Sequence, residues 1–287
     1  MACIICNSER EIKIFRYLST DFFECVRCGL IRTFPFPTET QIRDHYQKKY
    51  NYGNYSTLLS HMESYSAIYE NYVKLLQDRR GTLNGKKILD VGCFTGNFLD
   101  IAFKNGAITH GIELQKDAYD IAYKKHAKRI LNCSFDNATF EEKFDIITLF
   151  GVIEHLTRPD VLLQKASEWL IEGGTIMIQT PNTGSLFAKT MRKYWPPYSP
   201  IEHIHYFSSD NLRLLLEKNG FTEVEIRPHR KQLTIGYVYD MLQNFGTEFR
   251  KVLAPFVMIM PESIKSRKWN FYVGEMMVMA TKRHRRG

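Results

Sequence analysis

The chain has 287 residues, a net charge of +8, 44% hydrophobic residues and 13% aromatics. That is enough apolar material for a sizeable core and argues against disorder. At roughly 150 residues per domain it allows one large domain or two. No apolar run reaches ~18 residues, so no transmembrane helix is expected. The start, MACIICNSER, lacks a basic stretch followed by a long apolar one, so no secretory signal is expected and a reducing, cytoplasmic setting is. The positive charge suits anionic partners such as nucleic acid, nucleotide sugars or a membrane surface. Its clusters, RPHRK at 227–231 and KRHRR at 282–286, are short and read as solvated surface rather than nucleic-acid arms.

The first element, at residues 1–37, carries four of the six cysteines as two CxxC pairs, Cys3 with Cys6 and Cys25 with Cys28, 18 residues apart. Four thiolates at that spacing can close a tetrahedron around Zn²⁺, with a hairpin between the pairs. Gly29 gives the second pair a turn without a side chain. Disulfides are the alternative, and a reducing compartment argues against them. A site closed by four thiolates has no open position, so this zinc ribbon would be structural. Cys93 and Cys133 lie far away and read as small buried residues.

FPFPTE then breaks the chain. Helical patterns near 38–49 and 62–79 make residues 38–84 a helical linker and candidate cofactor lid. Between them runs YNYGNYS, with Tyr50, Tyr52 and Tyr55. This loop reads either as a cover over a ligand, with Tyr52 as a substrate contact, or as core packing.

From residue 85 to 287, strands alternate with helices. KILDVG, ITHGIEL, RIL, FDIITLF and TIMIQTPN read as strands. CFTGNFLDIAFKNG, residues 116–127 and DVLLQKASEWLIEGG read as helices, the last stopped by its two glycines; NLRLLLEKNGF and TEVEIRP add a further helix and strand. Such alternation implies a doubly wound, Rossmann-like parallel sheet buried on both faces. Right-handed crossovers gather the carboxyl ends of its strands on one rim, where ligands bind. The first turn on that rim is DVGCFTGNF. Asp90 closes the strand, Gly92 and Gly96 let a ligand approach the backbone, and Phe94 stands where a middle glycine often sits. Glu113 ends the second strand 21 residues beyond Gly92, where a carboxylate can accept both ribose hydroxyls. NAD would place its pyrophosphate on this turn and would want GxGxxG. Asp90 disfavours that anion and favours a sulfonium or an amino group, which points to S-adenosylmethionine.

In LDVGCFTGNF, GIEL, FDIITLFGVIEHLTRP, GGTIMIQTPN and the closing GEMMVMATK, in that order over residues 85–282, the chain resembles the class I S-adenosylmethionine-dependent methyltransferases. The resemblance implies a seven-stranded sheet whose last strand, about 271–281, is antiparallel and enters beside the sixth. It puts Asp90, Gly92 and Gly96 around the methionine part of the cofactor, with Phe94 as a departure from the family's middle glycine that tightens the cofactor pocket, Glu113 on the ribose, and Ser134 and Phe135 near the adenine.

After the fifth strand and the aromatic KYWPPYSP comes PIEHIHYFS. Metal binding by His203 and His205 would need a third ligand, and none lies nearby in sequence, so a metal here is not expected. His205, beside Tyr206 and Phe207, reads as a core residue. His203 reads as a general base for an acceptor hydroxyl, because an imidazole titrates near neutral pH, with Glu202 orienting it as a carboxylate does in a triad. His155, in VIEHL, is a second catalytic candidate with Glu154 as its partner, or else a helix-start residue. The run from Tyr198 to His203 is similar to the acceptor-side motif of sugar methyltransferases acting on nucleotide-linked deoxysugars, which also carry an N-terminal zinc-binding domain. That similarity makes Tyr198 a substrate contact. Residues 232–270 read as a helical insert before the last strand, serving as a lid, a dimer face, a membrane contact or internal packing.

Three functions follow as expectations. The first is a methyltransferase for a small anionic acceptor, a sugar or glycan-precursor hydroxyl. The second is a ribosomal or transfer RNA methyltransferase gripping RNA with the ribbon, which the lack of a continuous basic stripe disfavours. The third is a non-enzymatic binder, which intact Gly92, Gly96 and Glu113 argue against.

Overall fold

A computed structural model describes residues 2–38, 40–41, 55–235, 239, 255 and 257–284. Tyr50 and Tyr52, most of the 38–54 linker and, within the 232–270 insert, residues 236–238, 240–254 and 256 lie outside the described residues. So does the side chain of Tyr55, whose backbone opens helix α1 (Tyr55–Arg80).

The centre is a seven-stranded mixed sheet. In chain order its strands are β4 (Lys87–Val91), β5 (Ile108–Ile112), β6 (Ile130–Leu131), β7 (Phe144–Phe150), β8 (Leu170–Pro181), β10 (Phe221–Thr234) and β11 (Lys268–Lys282). They lie in the order β10-β11-β8-β7-β4-β5-β6. All pairings are parallel except those of β11, which runs antiparallel to both β10 and β8. The parallel strands are near-continuous apolar runs because both faces are covered: Ile88, Leu89, Ile146, Ile147, Leu149, Ile176 and Ile178 are fully buried. The strand order reverses at β4, with β5 on one side and β7 on the other. In sheets of this kind ligands bind at the switch point, outside the carboxyl ends of the strands, which here is the turn that begins at Asp90.

Two expected boundaries move. The helix predicted over 160–174 stops at Trp169, and LIEGG becomes the first part of β8. Buried Leu170 pairs with Phe144, and the register against β7 shifts just beyond, where Gly173 takes φ +70°. The two glycines therefore form a bulge rather than a helix stop. At the other edge, QLT extends β10 and the pairing Lys231↔Phe271 through Thr234↔Lys268 lengthens β11. The segment between the strands is thus 235–267, in which the short helix Glu262–Lys265 is described. No helix among the described residues is long and apolar enough to cross a membrane.

The N-terminal segment forms a second sheet, β1 (Glu11–Tyr17), β2 (Thr20–Cys25) and β3 (Ile31–Phe34), completed by β9 (His205–Tyr206) from the PIEHIHYFS stretch. Ile31 pairs with Tyr206 and Arg32 with His205, while Thr33 N donates to Ile204 O at 3.0 Å. Cys3, Ile5, Cys6, Cys25 and Leu30 belong to the same apolar cluster as Phe207, Leu212, Leu216 and Phe221, and Lys218 Nζ donates to Ile5 O. The segment is built into the wall beside the rim rather than tethered to it.

Candidate active site

Two buried carboxylates define one half of the rim. Asp90 accepts from Thr148 Oγ1 at 2.7 Å. Glu113, just beyond β5, accepts Phe94 N–H on Oε2 at 2.8 Å and Gln115 N–H on Oε1 at 2.7 Å. The turn between them is tightly set. Gly92 has φ +76°, and a Cβ there would lie 2.7 Å from Val152 Cγ2. Gly96 has φ +79°. Phe94, where a middle glycine often sits, adopts φ +50°, the left-handed region that costs a side-chain-bearing residue roughly 1 kcal/mol. That conformation aims its N–H at Glu113, so the glycine-like backbone is retained without the glycine.

Burial raises Asp90 to about 7; the Thr148 hydroxyl opposes this and the Glu113 charge adds to it. Burial likewise raises Glu113, offset in part by its backbone N–H donors. Both acids are solvated by neutral dipoles, and their charges oppose each other. This pairing fits a cationic sulfonium and amino group and rejects a diphosphate.

A pH dependence follows. A cation beside Asp90 lowers its pKa, so binding the cofactor releases a proton when the pH is below about 7. Affinity is full above that value and falls as the pH drops, by at most about tenfold per unit. Calorimetry between pH 5.5 and 8 should show this slope, and Asp90→Asn should flatten it. For the cofactor-free fold the sign is reversed: a raised acid adds stability at low pH and loses it as the pH climbs through about 7.

Ser134 and Phe135 follow β6 and are half-buried on the same rim. Asn132, which sequence reasoning missed, ties that loop down by donating to the carbonyls of Glu113 (2.8 Å) and Leu114 (3.1 Å). Cys93 is buried as expected, whereas Cys133 is only half-buried.

The other half of the rim forms where the turn Ile153–His155, after β7, meets the PIEHIHYFS loop. Ile204 N donates to Glu154 O at 2.8 Å. His155 Nδ1 donates to Glu202 O at 2.6 Å, and His203 Nδ1 to Pro197 O at 2.7 Å. The two rings meet edge to face with centroids 4.7 Å apart. One donor atom each from Glu154, His155 and His203 lies within 4.8 Å of the others. Glu154, the expected partner of His155, is thus a carboxylate shared by both histidines, and the backbone carbonyl of Glu202, expected to orient His203, also serves His155. Glu154 is 2% exposed, accepts from Thr180 Oγ1 at 3.0 Å, and is raised by burial. His205 is the buried residue of the pair. Its Nδ1 donates to Leu156 O at 2.9 Å, and burial lowers it to about 4.

Tyr198, expected as a substrate contact, has its ring buried among Phe15, Phe22, Trp195 and Tyr206, which joins the His203 loop to the N-terminal sheet. Sequence reasoning also missed a polar cluster at the β10–β11 end of the rim. There Glu275 accepts from Gln179 Nε2 (2.8 Å) and pairs with Lys231 Nζ (2.5 Å), and Tyr72 Oη lies 3.2 Å from His229 Nε2. The glutamate in GEMMVMATK, inside an otherwise apolar strand, was the available signal.

The four cysteines of the N-terminal sheet also converge. Cys3 and Cys28 sulfurs lie 3.5 Å apart, as do those of Cys6 and Cys25, and all four lie within 4.8 Å of one another. Four thiolates on a common Zn²⁺ at ~2.3 Å would lie roughly 3.8 Å apart, so the donor set and its convergence suit that ion.

Sheet order, switch point and paired acids define a class, the α/β methyltransferases that use S-adenosylmethionine. A family described as a methyltransferase domain matches residues 60–226, and the chain belongs to it. The chain is 34% identical over 118 residues to a ubiquinone biosynthesis O-methyltransferase of Glaesserella parasuis, covering 37% of this chain and 50% of that protein. It is 27% identical over 155 residues to a protein of the same name from Coxiella burnetii, covering 47% and 66%. The chain thus spans half to about two thirds of the curated relatives it matches. Among solved structures, a methyltransferase from Thermotoga maritima superposes with a TM-score of 0.54 at 17% identity, over 83% of this chain and 99% of that one. A phosphoethanolamine N-methyltransferase from Haemonchus contortus, bound to S-adenosylhomocysteine, gives 0.54 at 17%, over 88% and 63%. At these identities the likeness is one of fold.

Proposed function

We propose that this enzyme methylates a hydroxyl of a small-molecule acceptor, activated at the Glu154–His155–His203 cluster. The observation that carries this reading is the convergence of two histidines and a buried carboxylate on the rim that holds Asp90 and Glu113. S-adenosylmethionine supplies a methyl group already activated on a cationic sulfur. The chain's own task is to place the acceptor oxygen and draw off its proton. A carbonyl only accepts, so the bonds to Pro197 O and Glu202 O fix hydrogen on Nδ1 of His203 and His155 and make Nε2 the atom of each ring that would take up a proton. His203 is the proposed proton acceptor, with His155 beside it and Glu154 stabilising positive charge on the pair. The names of the relatives support oxygen as the methylated atom. A sugar or glycan-precursor hydroxyl rests on the Tyr198–His203 motif and the positive charge. The RNA alternative is not favoured.

We assign residues 1–37 to a zinc ribbon that braces the His203 loop through β3 and β9, residues 38–84 to a helical linker and lid, and residues 85–287 to the methyltransferase domain. Purified protein should carry about one zinc per chain. Cys25→Ser should lose it and lower the melting temperature by roughly 5–10 °C, read by metal analysis and thermal scanning. An unchanged melting curve would remove the ribbon's bracing role.

The acceptor class is tested by incubating enzyme and labelled cofactor with separate pools of phenols, nucleotide sugars and bulk RNA. Label on a small-molecule hydroxyl is expected. Label confined to RNA would overturn the reading.

A further inference from the structure

Gln179 stands near the carboxyl end of β8, half-buried in a run of buried neighbours. Its Nε2 donates to Glu275 Oε2 at 2.8 Å. Glu275 is 4% exposed and pairs with Lys231 Nζ at 2.5 Å, with His229 Nε2 at 3.9 Å. A carboxylate beside an ammonium only accepts, so it fixes which end of the Gln179 amide faces it. The other end, Oε1, has no hydrogen-bond partner among the described residues. A buried ion pair contributes little net stability, so packing alone does not call for Glu275 in front of the apolar run MMVMA.

Oε1 faces a defined place. Gly151, just past β7, has φ +65°, and the atoms nearest a Cβ built there are Gln179 Oε1 at 3.8 Å and Glu154 Oε1 at 3.9 Å. Both are ordinary contact distances, so a notch stands open above this glycine. On one side of it Val152 packs against Gly92 of the cofactor turn. On the other, Glu154 leads to His155 and His203. The notch thus lies between the proposed cofactor contacts and the proposed proton acceptor, where the acceptor molecule has to sit. Both flanking atoms are hydrogen-bond acceptors. Burial raises Glu154, and the Glu275 charge adds to this, so negative charge surrounds the notch. A carboxylate or phosphate offers these oxygens no hydrogen and is repelled. A hydroxyl has one hydrogen for two oxygens, whereas a protonated amino group has three.

We infer that Gln179 sets the choice of acceptor: its Oε1, aimed by Glu275, accepts a hydrogen bond from an amino group lodged above Gly151, with Glu154 accepting a second. The acceptor class is an amino sugar or amino alcohol, methylated on a hydroxyl that reaches His203. The inference deepens the reading of this rim as the acceptor side and rests on it. Gln179 is the specificity residue, and Glu275 is a positioning residue that acts through it. The notch takes a cation where the chain's net charge of +8 suggested an anion.

The test saturates full-length protein with S-adenosylhomocysteine and titrates it with three kinds of matched sugar, followed by calorimetry and saturation-transfer NMR. The amino sugars are glucosamine and galactosamine, the neutral parents glucose and galactose, and the acids glucuronate and galacturonate. An amino sugar should bind at least about tenfold more tightly than its parent or its acid, the low end for a hydrogen bond to a charged group. Gln179→Leu keeps the approximate volume and removes both polar atoms. It should bring the three kinds within about twofold of one another while S-adenosylhomocysteine still binds. Glu275→Gln should lose part of the preference, because a neutral amide no longer fixes the Gln179 amide; a merely structural loss would weaken all three kinds alike. Equal binding of the three kinds, tighter binding of the acids, no binding at all, or an amine preference unchanged in Gln179→Leu would overturn the assignment and spare the methyltransferase reading. Failure of S-adenosylhomocysteine to bind the parent protein would strike that reading instead.

Discussion

His203→Ala should bind S-adenosylhomocysteine within about twofold of the parent and turn over ~10²–10⁴ times more slowly, the usual range for loss of a positioned proton-transfer group. The residue is half-exposed on a loop, so truncation opens no core cavity; its neighbours Ile204 and His205 carry the buried contacts. Asp90 and Glu113, the proposed cofactor contacts, lie on the other half of the rim, which the substitution does not touch. His155→Ala should cost a comparable factor, because the rings are in contact and serve the same oxygen. The double variant should be little worse than either single one, as expected of residues acting as a unit. Single-turnover rates, with binding measured separately, check both statements. A His203→Ala enzyme with full activity would take this residue out of the mechanism.

The second large effect falls on binding. Glu113→Ala should weaken S-adenosylmethionine by about 100-fold. Two charge-assisted hydrogen bonds to ribose hydroxyls contribute ~1.5 kcal/mol each at the low end, and ~3 kcal/mol corresponds to that factor. The same carboxylate also anchors Phe94 N and Gln115 N, so its loss releases the strained φ +50° turn as well. Glu113→Gln keeps one acceptor oxygen and should lose about tenfold. Titration calorimetry on both variants separates the two losses.

The cofactor half of the rim was legible because it is written locally. DVGCFTGNF and GIEL are contiguous strand-end turns, so periodicity and glycine placement reveal Asp90, Gly92 and Glu113 together. The acceptor half is assembled across the fold, and adjacency in sequence shows only part of it. Glu202 precedes His203 directly, but no local pattern shows that Glu154 also comes to it, carried over by the bond from Ile204 N to Glu154 O. Tyr198 lies in the motif but is claimed by aromatic rings of β1 and β2 that no local pattern links to it. The Glu275 cluster draws on β8, β10 and β11, which meet only through antiparallel pairing. Element ends shifted for a similar reason. LIEGG and QLT have no strand alternation of their own and become strands because β7 and β11 offer partners.

The central claim is that the turn after β4 receives a cationic thioether cofactor rather than a diphosphate. Calorimetric titration of the unmodified chain tests it most directly. Saturable heat with S-adenosylhomocysteine at about one per chain, and none with NADH, is the predicted result. Heat with NADH and none with S-adenosylhomocysteine would contradict it.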